Sequence, residues 1–431
     1  MRVGARKPAL TDVEEMRAVI LHRAAELFSR NGYDAATLRQ IAERAGIEAG
    51  SVYYYFPSKS ALLDEVLDTG IRELVVAMQL AMDEVAAGAM PFSQATERVV
   101  ATHLKFVLGG NSFISTNIRV YPTLPAHQKA AHRRLRLRYA TLWDDFLRSA
   151  QRSGSLRSDI EIAPLRSFVL GALNWTADWF NTKRYSVPDL ATRATKLLLD
   201  GIATSHDPVE AASPSPVSGD VHHEGNKAAR TRNQILISAS RVLRRNGYKA
   251  TTMRSIAEEA GLEAGSLYYH FDSKDAIVDA VLDLGLKAQI EAVSGSATDQ
   301  SQFVTHRSRI VAAVGAHIDC TFRHSEVASA NVRIFSRLPP EVRERHRPLR
   351  DQYGRLWDRY LKEAQDAGEI RSDIKVVPLR QFILGALDWT VVWFDPGRTP
   401  AQVQSRLSAL TGMLQSLLLH GLRERTPAVR R

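Results

Sequence analysis

The stretch from Thr37 to Lys59, TLRQIAERAGIEAGSVYYYFPSK, decides the fold of this chain. Its leading threonine is a suitable N-cap with Gln40 three residues later, and Gly46 suits the left-handed residue that ends a short helix. A second short helix is predicted to follow, in which the small residues Gly50 and Ser51 let the backbone approach another surface closely. Two short helices joined by a glycine turn, the second of them rich in tyrosine, predict a helix-turn-helix that lies in a DNA groove.

A serine and a lysine at the end of this stretch predict a phosphate contact. Ser58 is a natural N-cap for a long helix, yet Lys59 places a cation where the helix dipole favours anions. The same pair recurs as Ser273 and Lys274 in TMRSIAEEAGLEAGSLYYHFDSK, residues 252–274. A DNA phosphate held by the lysine, the tyrosine hydroxyls and backbone N–H groups would make this placement favourable. The alternative is that the lysines are solvated and the tyrosines are packing residues.

Both stretches, with the Asn-Gly-Tyr that precedes each of them, resemble the DNA-binding segment of the TetR family of bacterial transcriptional regulators. The resemblance rests on the Thr-led short helix, the glycine turn, Gly-Ser-x-Tyr-Tyr-x-Phe and Ser-Lys. It implies that the threonines, tyrosines and lysines contact phosphates of double-stranded DNA and that the other members face bases or sugars. The implied DNA-binding residues are Thr37, Arg39, Gln40, Gly50, Ser51, Tyr53, Tyr54 and Lys59 in the first copy, and Thr252, Arg254, Gly265, Ser266, Tyr268, Tyr269 and Lys274 in the second.

The internal repeat extends well beyond this motif. Residues 31–59 and 246–274 share 20 identities in 29 positions, and residues 157–180 and 371–394 share 16 in 24. We interpret the chain as two whole TetR-like subunits joined in tandem. The predicted parts are a first helix-turn-helix domain at 1–57, a first ligand-binding and dimerisation domain at 58–204, a linker at 205–226, a second helix-turn-helix domain at 227–272 and a second ligand-binding and dimerisation domain at 273–423. The two helix-turn-helix domains are called the first and second heads below, and the two larger domains the first and second bodies.

The predicted linker favours pairing of the two repeats within one chain. It is rich in Pro, Ser and Gly without periodicity, and its 22 residues span about 26 Å on average if flexible. Such a tether raises the effective concentration of one repeat near the other to about the millimolar range. We therefore expect a pseudo-dimer that presents two recognition helices to one near-palindromic operator. The half-sites need not be identical, because the differences between the heads include three aligned pairs: Gln40 and Ser255, Arg44 and Glu259, Tyr55 and His270.

Apolar periodicity predicts an all-α chain, in which each repeat has an N-terminal three-helix head and a C-terminal helical bundle. Residues 12–30 and 58–87 carry apolar stripes at helical spacing. Further helices are predicted at about 92–109, 112–122, 125–153, 163–180 and 187–204. The segment 163–180 is apolar nearly all round, which predicts burial on two sides. The resemblance implies that this helix and the next one form the dimer interface.

Polar and aromatic residues that recur in both bodies predict an effector site. Aromatic walls with a few arginines suit a large ligand that has an apolar part and an anionic part. The candidates are Asn117, Arg119, Tyr139, Trp143, Trp175 and Trp179 in the first repeat, and Asn331, Arg333, Tyr353, Trp357, Trp389 and Trp393 in the second. The alternative is core tryptophans and a solvated arginine face, and the run 132–138 in particular is expected to be mostly surface. Resemblance to family members that sense acyl-CoA thioesters implies an acyl-CoA effector, which would release a repressor from DNA through the helix at 58–87.

Charge and cysteine content narrow the class of protein. The net charge of +10 favours an acidic partner such as nucleic acid. Residues 1–60 carry a net charge of +2 and residues 227–274 a net charge of +5, which predicts a steeper salt dependence for the second head. A single cysteine, Cys320, excludes an intramolecular disulfide framework and fits a reducing cytoplasm as a buried thiol. No secretion signal is apparent and no apolar run reaches the roughly 18 residues of a membrane span, so a cytoplasmic protein without membrane contact is expected.

Other functional classes lack their motifs. No zinc motif, phosphate-cradling glycine loop, nucleophile elbow or repeated carboxylate pair is recognisable, so neither an enzyme nor a cofactor is expected. The adjacent His222 and His223 are more simply solvated than bound to a metal. Two alternatives remain. One is a helical ligand-binding or interaction protein that has lost DNA binding, and the other is a chain in which only the first head binds DNA and the second is retained for dimer-like packing.

Overall fold

The computed structural model describes residues 10–421 with the exception of 89, 122–123, 125, 202–226, 297–304, 325, 336–337 and 398. Within these residues the chain is helical and contains no strand, which confirms the all-α prediction. The predicted linker at 205–226, with its two histidines, lies outside the described residues.

The helices of the first repeat recur in the same order in the second, so each helix of the second repeat carries the number of its counterpart plus ten. The first repeat contains α1 (Leu10–Ala35), α2 (Leu38–Ala45), α3 (Val52–Tyr55), α4 (Lys59–Ala87), α5 (Phe92–Leu108), α6 (Ser112–Arg119), α7 (Ala126–Ala131), α8 (Arg133–Arg152), α9 (Ile162–Trp179) and α10 (Val187–Asp200). The second contains α11 (Lys227–Ala250), α12 (Met253–Ala260), α13 (Ala264–His270), α14 (Lys274–Gly295), α15 (His306–Asp319), α16 (Glu326–Ile334), α17 (Pro340–Arg345), α18 (Arg347–Asp366), α19 (Val376–Trp393) and α20 (Pro400–His420).

One predicted helix is divided in two. The sequence predicts a continuous helix at 125–153, whereas α7 and α8 are separated at His132, which is buried. The second repeat has the same break at His346, and there Pro348 lies in the first turn of α18, where a missing N–H leaves no hydrogen bond unmade. The break turns a histidine towards the interior of each repeat.

Each head is built on its own apolar core. The first core includes Ile20, Phe28, Ile41, Val52, Phe56 and Leu63, which are all buried. The second includes the equivalent residues Ile235, Leu243, Ile256, Leu267, Phe271 and Val278. Thr116 of α6, in the first body, donates to the carbonyl oxygen of Ala25 in α1 of the first head at 3.0 Å. These contacts fix the two short helices from one side and leave their other side to solvent.

Glycines allow α9 and α19 to pack closely. The chain divides into two units, residues 1–90 with 101–146 and residues 91–100 with 147–431, so both helices belong to the second unit. A Cβ built on Gly171 would lie 2.6 Å from Cβ of Trp389, and one built on Gly385 would lie 2.5 Å from Cβ of Trp175. Each glycine is therefore required by the tryptophan opposite, because real Cβ atoms do not approach so closely. Segment 163–180, which the sequence predicts to be buried on two sides, packs against α19 within this unit.

The ends of α10 and α20 meet in the same reciprocal way. A Cβ built on Gly201 would lie 2.4 Å from the carbonyl oxygen of Leu419, and Gly421 stands in the same relation to Leu199. Two arginines bind these ends across the contact. Arg157 donates to Ser416 Oγ at 2.8 Å, and Arg371 donates to the carbonyl oxygen of Lys196 at 3.0 Å. Cations stabilise helix C-termini, whose last carbonyl groups lack partners within the helix.

Three sequence expectations concern features outside the heads. In the described residues, no helix combines the length and the apolarity that crossing a membrane requires. No group of three or more His, Cys, Asp or Glu side chains in the same residues is arranged to hold a metal ion. Burial raises the pKa of the Cys320 thiol to about 12, so this side chain stays protonated and serves packing.

Candidate nucleic-acid interface

Local hydrogen bonds fix the helix-turn-helix of each head, as its sequence predicts. Thr37 Oγ1 accepts the N–H of Gln40 at 3.2 Å, and the N–H of Thr37 donates to Gln40 Oε1 at 2.9 Å. In the second head Ser255 replaces the glutamine, and its Oγ accepts the N–H of Thr252 at 3.0 Å. Gly46 ends α2 in the left-handed region with φ 73°. Gln40 and Ser255 are therefore capping residues, and for Gln40 this role is additional to its predicted contact with bases or sugars.

The second short helix of each head presents its tyrosines to solvent. Tyr53 and Tyr54 are 60% and 72% exposed, and Tyr268 and Tyr269 are 56% and 82% exposed. Adjacent large aromatic side chains at a surface are typical of a binding site, since they gain nothing from packing inside their own domain. Apart from the two lysines, the other predicted DNA-binding residues are exposed as well: Thr37, Arg39, Gln40, Gly50, Ser51, Thr252, Arg254, Gly265 and Ser266.

The lysine at the start of the long helix lies on an aromatic ring in both heads. Lys59 Nζ is 4.3 Å from the centre of the Tyr33 ring, and Lys274 Nζ is 4.4 Å from that of Tyr248. Lys274 Nζ also donates to the carbonyl oxygen of Tyr248 at 3.1 Å. The ammonium groups are thereby held beside the N-termini of α4 and α14, where unpaired backbone N–H groups attract anions. The tyrosine of the Asn-Gly-Tyr motif is the sequence signal for this arrangement.

In the second body, two predicted effector contacts belong to a buried polar cluster. Asn331 Nδ2 donates to the carbonyl oxygen of Leu282 in α14 at 3.1 Å, and its Oδ1 accepts from Arg350 at 2.8 Å. The guanidinium of Arg350 lies 3.3 Å from the ring centre of Phe335, and its buried Nε has no hydrogen-bond partner among the described residues. Burial lowers the pKa of Arg350 to about 10. Tyr353 follows Arg350 by one turn, and its hydroxyl lies 2.7 Å from Nδ1 of the buried His317.

The first repeat contains the same cluster around Asn117. Asn117 Nδ2 donates to the carbonyl oxygen of Leu67 in α4 at 3.0 Å, and its Oδ1 accepts from Arg136 at 2.5 Å. Burial lowers the pKa of Arg136 to about 10, and its Nε is likewise buried without a partner in the described residues. The sequence predicts that the run 132–138 is mostly surface, and Arg133, Arg134, Leu137 and Arg138 are indeed exposed. Arg136 is the arginine of this run that departs from the prediction.

Other effector candidates of both repeats have mixed surroundings. Tyr139 hydroxyl lies 2.6 Å from Nδ1 of His103, and Trp143 and Trp357 are fully buried. Arg119 donates to the carbonyl oxygen of Ser29, which ties α6 to α1. The side chain of Arg333 lies outside the described part of the chain.

The four tryptophans of α9 and α19 divide into two pairs. Trp175 and Trp389 occupy the close approach between these helices, opposite the two glycines. Trp179 makes an edge contact with Phe382, with ring centres 5.7 Å apart. Nε1 of Trp179 and Nε1 of Trp393 are buried and have no hydrogen-bond partner among the described residues. A buried N–H without a partner is rare in proteins, so the second pair retains a donor that a ligand could satisfy.

A buried histidine joins each body to the long helix that leaves the head. His132 Nδ1 lies 2.6 Å from Asp68 Oδ1, and its Nε2 lies 3.1 Å from Asp64 Oδ1. In the second repeat His346 makes the same two contacts, at 2.9 Å each, with Asp283 and Asp279. This contact was not predicted from the sequence, in which two aspartates stand four residues apart on one face of each long helix.

Replacing His132 by alanine is expected to lower the free energy of unfolding by about 1–3 kcal/mol, because two carboxylates lose their partner. Urea unfolding of the whole chain, followed by circular dichroism, measures the loss. The matched control is His22→Ala, since His22 is more than half exposed and lies 3.5 Å from a carboxylate oxygen of Glu26. Equal stability of the two variants would contradict a structural role for the His132 contact.

Family models match both repeats in tandem. The model described as bacterial regulatory proteins, tetR family, matches residues 20–66 and 235–281, which contain the two helix-turn-helix segments. The model described as tetracyclin repressor-like, C-terminal domain, matches residues 93–202 and 304–411. The matched ranges together cover more than half of the chain, and they occur in the order head, body, head, body.

Individual relatives align with about one repeat. The HTH-type transcriptional repressor KstR2 of Rhodococcus jostii is 27% identical over 193 residues, which are 44% of this chain and 93% of the relative. The fatty acid metabolism regulator protein of Bacillus subtilis is 22% identical over 190 residues, 42% of this chain and 93% of the relative. Among solved structures, the TetR family transcriptional regulator PfmR from Thermus thermophilus covers 46% of this chain and 99% of its own, with 23% identity and a TM-score of 0.38.

Proposed function

Because the chain belongs to the TetR family of bacterial regulatory proteins and carries both parts of that family twice, we propose that it is a ligand-responsive repressor that acts as a single-chain pseudo-dimer. DNA binding and transcription regulation follow from the family. The proposal adds that both heads bind one near-palindromic operator and that an effector in the bodies releases them.

The observation that carries the proposal is the preserved reading surface of both heads. The tyrosines are exposed and the lysines are held beside helix N-termini in the same way in each. An unused head would be free to lose these residues, since exposed tyrosines contribute little to stability. The DNA-binding residues named from the sequence are therefore retained as the proposed contact set.

Pairing of the repeats within one chain is supported by the contact of α9 with α19 and of α10 with α20. Both contacts are reciprocal. Each glycine of one repeat packs against a tryptophan side chain or a backbone carbonyl group of the other repeat, and each arginine binds the end of the opposite helix. Reciprocity is the mark of a two-fold interface, in which the same surface is used from both sides. A flexible tether favours this pairing within a chain over pairing between chains.

The proposed effector is an acyl-CoA or another lipid-derived anion. The arginine of each cluster has a buried Nε–H without a partner among the described residues, and the tryptophan and tyrosine side chains nearby in sequence supply apolar surface. A ligand with an anionic group and an acyl chain would satisfy both features. The name of one sequence relative, a fatty acid metabolism regulator protein, refers to lipid metabolism and supports this choice.

Selection of bound fragments from the source genome at about 150 mM salt tests the proposal, because non-specific binding weakens at this ionic strength. Enrichment of a site with two related half-sites, one helical turn of about 34 Å or a multiple of it apart, is the expected result. Absence of any enriched site would favour the alternative, a helical ligand-binding or interaction protein with little sequence-specific DNA binding.

Replacing Ser51 and Ser266 by alanine is expected to change sequence preference more than affinity. Both serines are exposed beside a glycine at the start of the second short helix, where a small polar side chain can reach base edges. The change is measured by repeating the selection with the variant. An unchanged preferred site would assign base reading to Arg39 and Arg254 instead.

A further inference from the structure

The two reading segments, defined as residues 37–60 and 252–275, differ in the sign of their net charge. The first contains three Lys/Arg and two Asp/Glu, a net charge of +1, whereas the second contains two Lys/Arg and five Asp/Glu, a net charge of −3. The preceding helices show the reverse: α1 has three Lys/Arg and five Asp/Glu, and α11 has seven Lys/Arg and no Asp/Glu. The larger positive charge of the second head therefore lies on α11 and not on the segment proposed to face DNA.

Part of the charge of α11 is already paired within the second repeat. Arg241 donates to both carboxylate oxygens of Glu326, with Nε 2.9 Å and 3.0 Å from them. Arg244 lies 3.9 Å from the same carboxylate, and Arg245 donates to Glu259 at 3.0 Å. Arginines that neutralise internal carboxylates release fewer counterions from DNA. These ion pairs reduce the share of the charge of α11 that can meet DNA phosphates, while the steeper salt dependence expected for the second head from its total charge stays a prediction.

Three aligned pairs account for the difference between the reading segments: Arg44 and Glu259, Pro57 and Asp272, Ser60 and Asp275. Asp275 lies in the first turn of α14, directly after Lys274, and its Oδ1 accepts the hydroxyl of Tyr248 at 2.6 Å. Burial and the neighbouring carboxylate raise the pKa of Tyr248 to about 12, so the hydroxyl remains a donor to Asp275. A carboxylate here takes the favourable place at the helix N-terminus that a phosphate would otherwise occupy.

Arg254, the other cation of the second reading segment besides Lys274, is paired with a carboxylate of the same segment. Arg254 Nε donates to Glu258 Oε1 at 2.9 Å. The aligned Arg39 makes no hydrogen bond or ion pair with any residue that the structure describes, although Glu43 stands at the same spacing. The first reading segment thus offers more cationic groups to DNA than the second.

We propose that the first head supplies most of the DNA affinity and that Asp272 and Asp275 weaken the second, so that the operator is bound as one strong and one weak half-site. This inference rests on the proposed DNA-binding function. Asp275 repels a DNA phosphate at the contact beside Lys274, and Asp272 repels a phosphate that approaches the same N-terminus of α14. The asymmetry is a property that two identical subunits could not have.

Reciprocal substitutions in the full-length chain test this inference on the operator obtained by genomic selection. Asp275→Ser is expected to tighten binding about threefold to tenfold, and Asp272→Asn with Asp275→Ser to make the salt dependence steeper by about one unit of slope. Ser60→Asp, which gives the first head the charge of the second, is expected to weaken binding by at least as large a factor. Fluorescence anisotropy over a salt series measures both quantities.

Asp83→Ser is the matched control, because it removes the same charge from α4 outside the reading segment, where Asp83 accepts from Gln79. It should leave operator affinity unchanged. Asp275→Asn keeps the shape of the side chain and replaces Asp275→Ser in the test if the serine variant lowers the midpoint temperature of thermal unfolding. Weaker binding by both Asp275 variants, or a smaller effect of Ser60→Asp than of Asp275→Ser, would overturn the inference. Failure of the unmodified chain to select any site would refute the proposed function instead, so the two failures are distinguishable.

Discussion

Replacing Tyr53 and Tyr268 by phenylalanine is expected to weaken DNA binding at least about 100-fold, since each hydroxyl that donates to a phosphate contributes about 1.5–3 kcal/mol and the loss of one such bond in each head costs about 3–6 kcal/mol. Both side chains are more than half exposed, and phenylalanine keeps the ring in place. Phosphate contacts position a protein without reading sequence. The loss should therefore be of similar size on the operator and on unrelated DNA, measured by anisotropy at one fixed salt concentration.

Leu80→Ala is the control for this pair, because Leu80 is 60% exposed, as Tyr53 is, but lies far along α4 from the head. It should leave the dissociation constant unchanged. The single variants add a further comparison: Tyr53→Phe should weaken binding more than Tyr268→Phe if the first head dominates. A loss confined to the operator would contradict phosphate binding and would mean that the tyrosines contact bases.

Local features of the heads were predictable from the sequence because their causes are local. A threonine N-cap, its partner three residues later and a glycine C-cap act within one or two helical turns, and the structure contains all of them. Repetition doubled the information, since a pattern that occurs twice with substitutions separates required residues from incidental ones. The same reasoning located α9, whose glycine and apolar faces predict two-sided packing.

The contacts inside the bodies were not predictable, because they join residues distant in the sequence. His132 meets two aspartates of α4 that precede it by 64 and 68 residues, and no local rule relates these positions. The arginines around His132 favoured the interpretation of this run as a solvent-exposed charged face, so burial of the histidine was not expected. Arg136 is a similar case: stacking on the Tyr121 ring, 3.2 Å from its centre, allows a cation to be buried where charge alone would predict exposure.

Replacing Gly171 and Gly385 by alanine is expected to lower the stability of the second unit by about 2–6 kcal/mol, because each added methyl group overpacks a closed contact at a cost of about 1–3 kcal/mol. Their Cβ atoms would lie 2.6 Å and 2.5 Å from Cβ of the opposing tryptophans, so a helix must move. Movement of α9 against α19 would also disturb the proposed pairing of the two repeats. Affinity for the complete operator should then fall towards that for a single half-site, which native mass measurement and anisotropy test together.

Gly412→Ala on α20 is the control with the opposite expected sign. Nothing lies within 4 Å of a Cβ built there, so alanine should stabilise the helix by about 1 kcal/mol through its higher helix propensity. The sign is decisive, since propensity favours alanine equally at all three positions and only the packing of α9 against α19 can reverse it. Stabilisation of the double variant at Gly171 and Gly385 would show that this contact is not closed in solution. If the double variant is destabilised but binds the operator with unchanged affinity, DNA binding does not depend on the contact of α9 with α19. The spacing of the two heads would then be set by the operator itself.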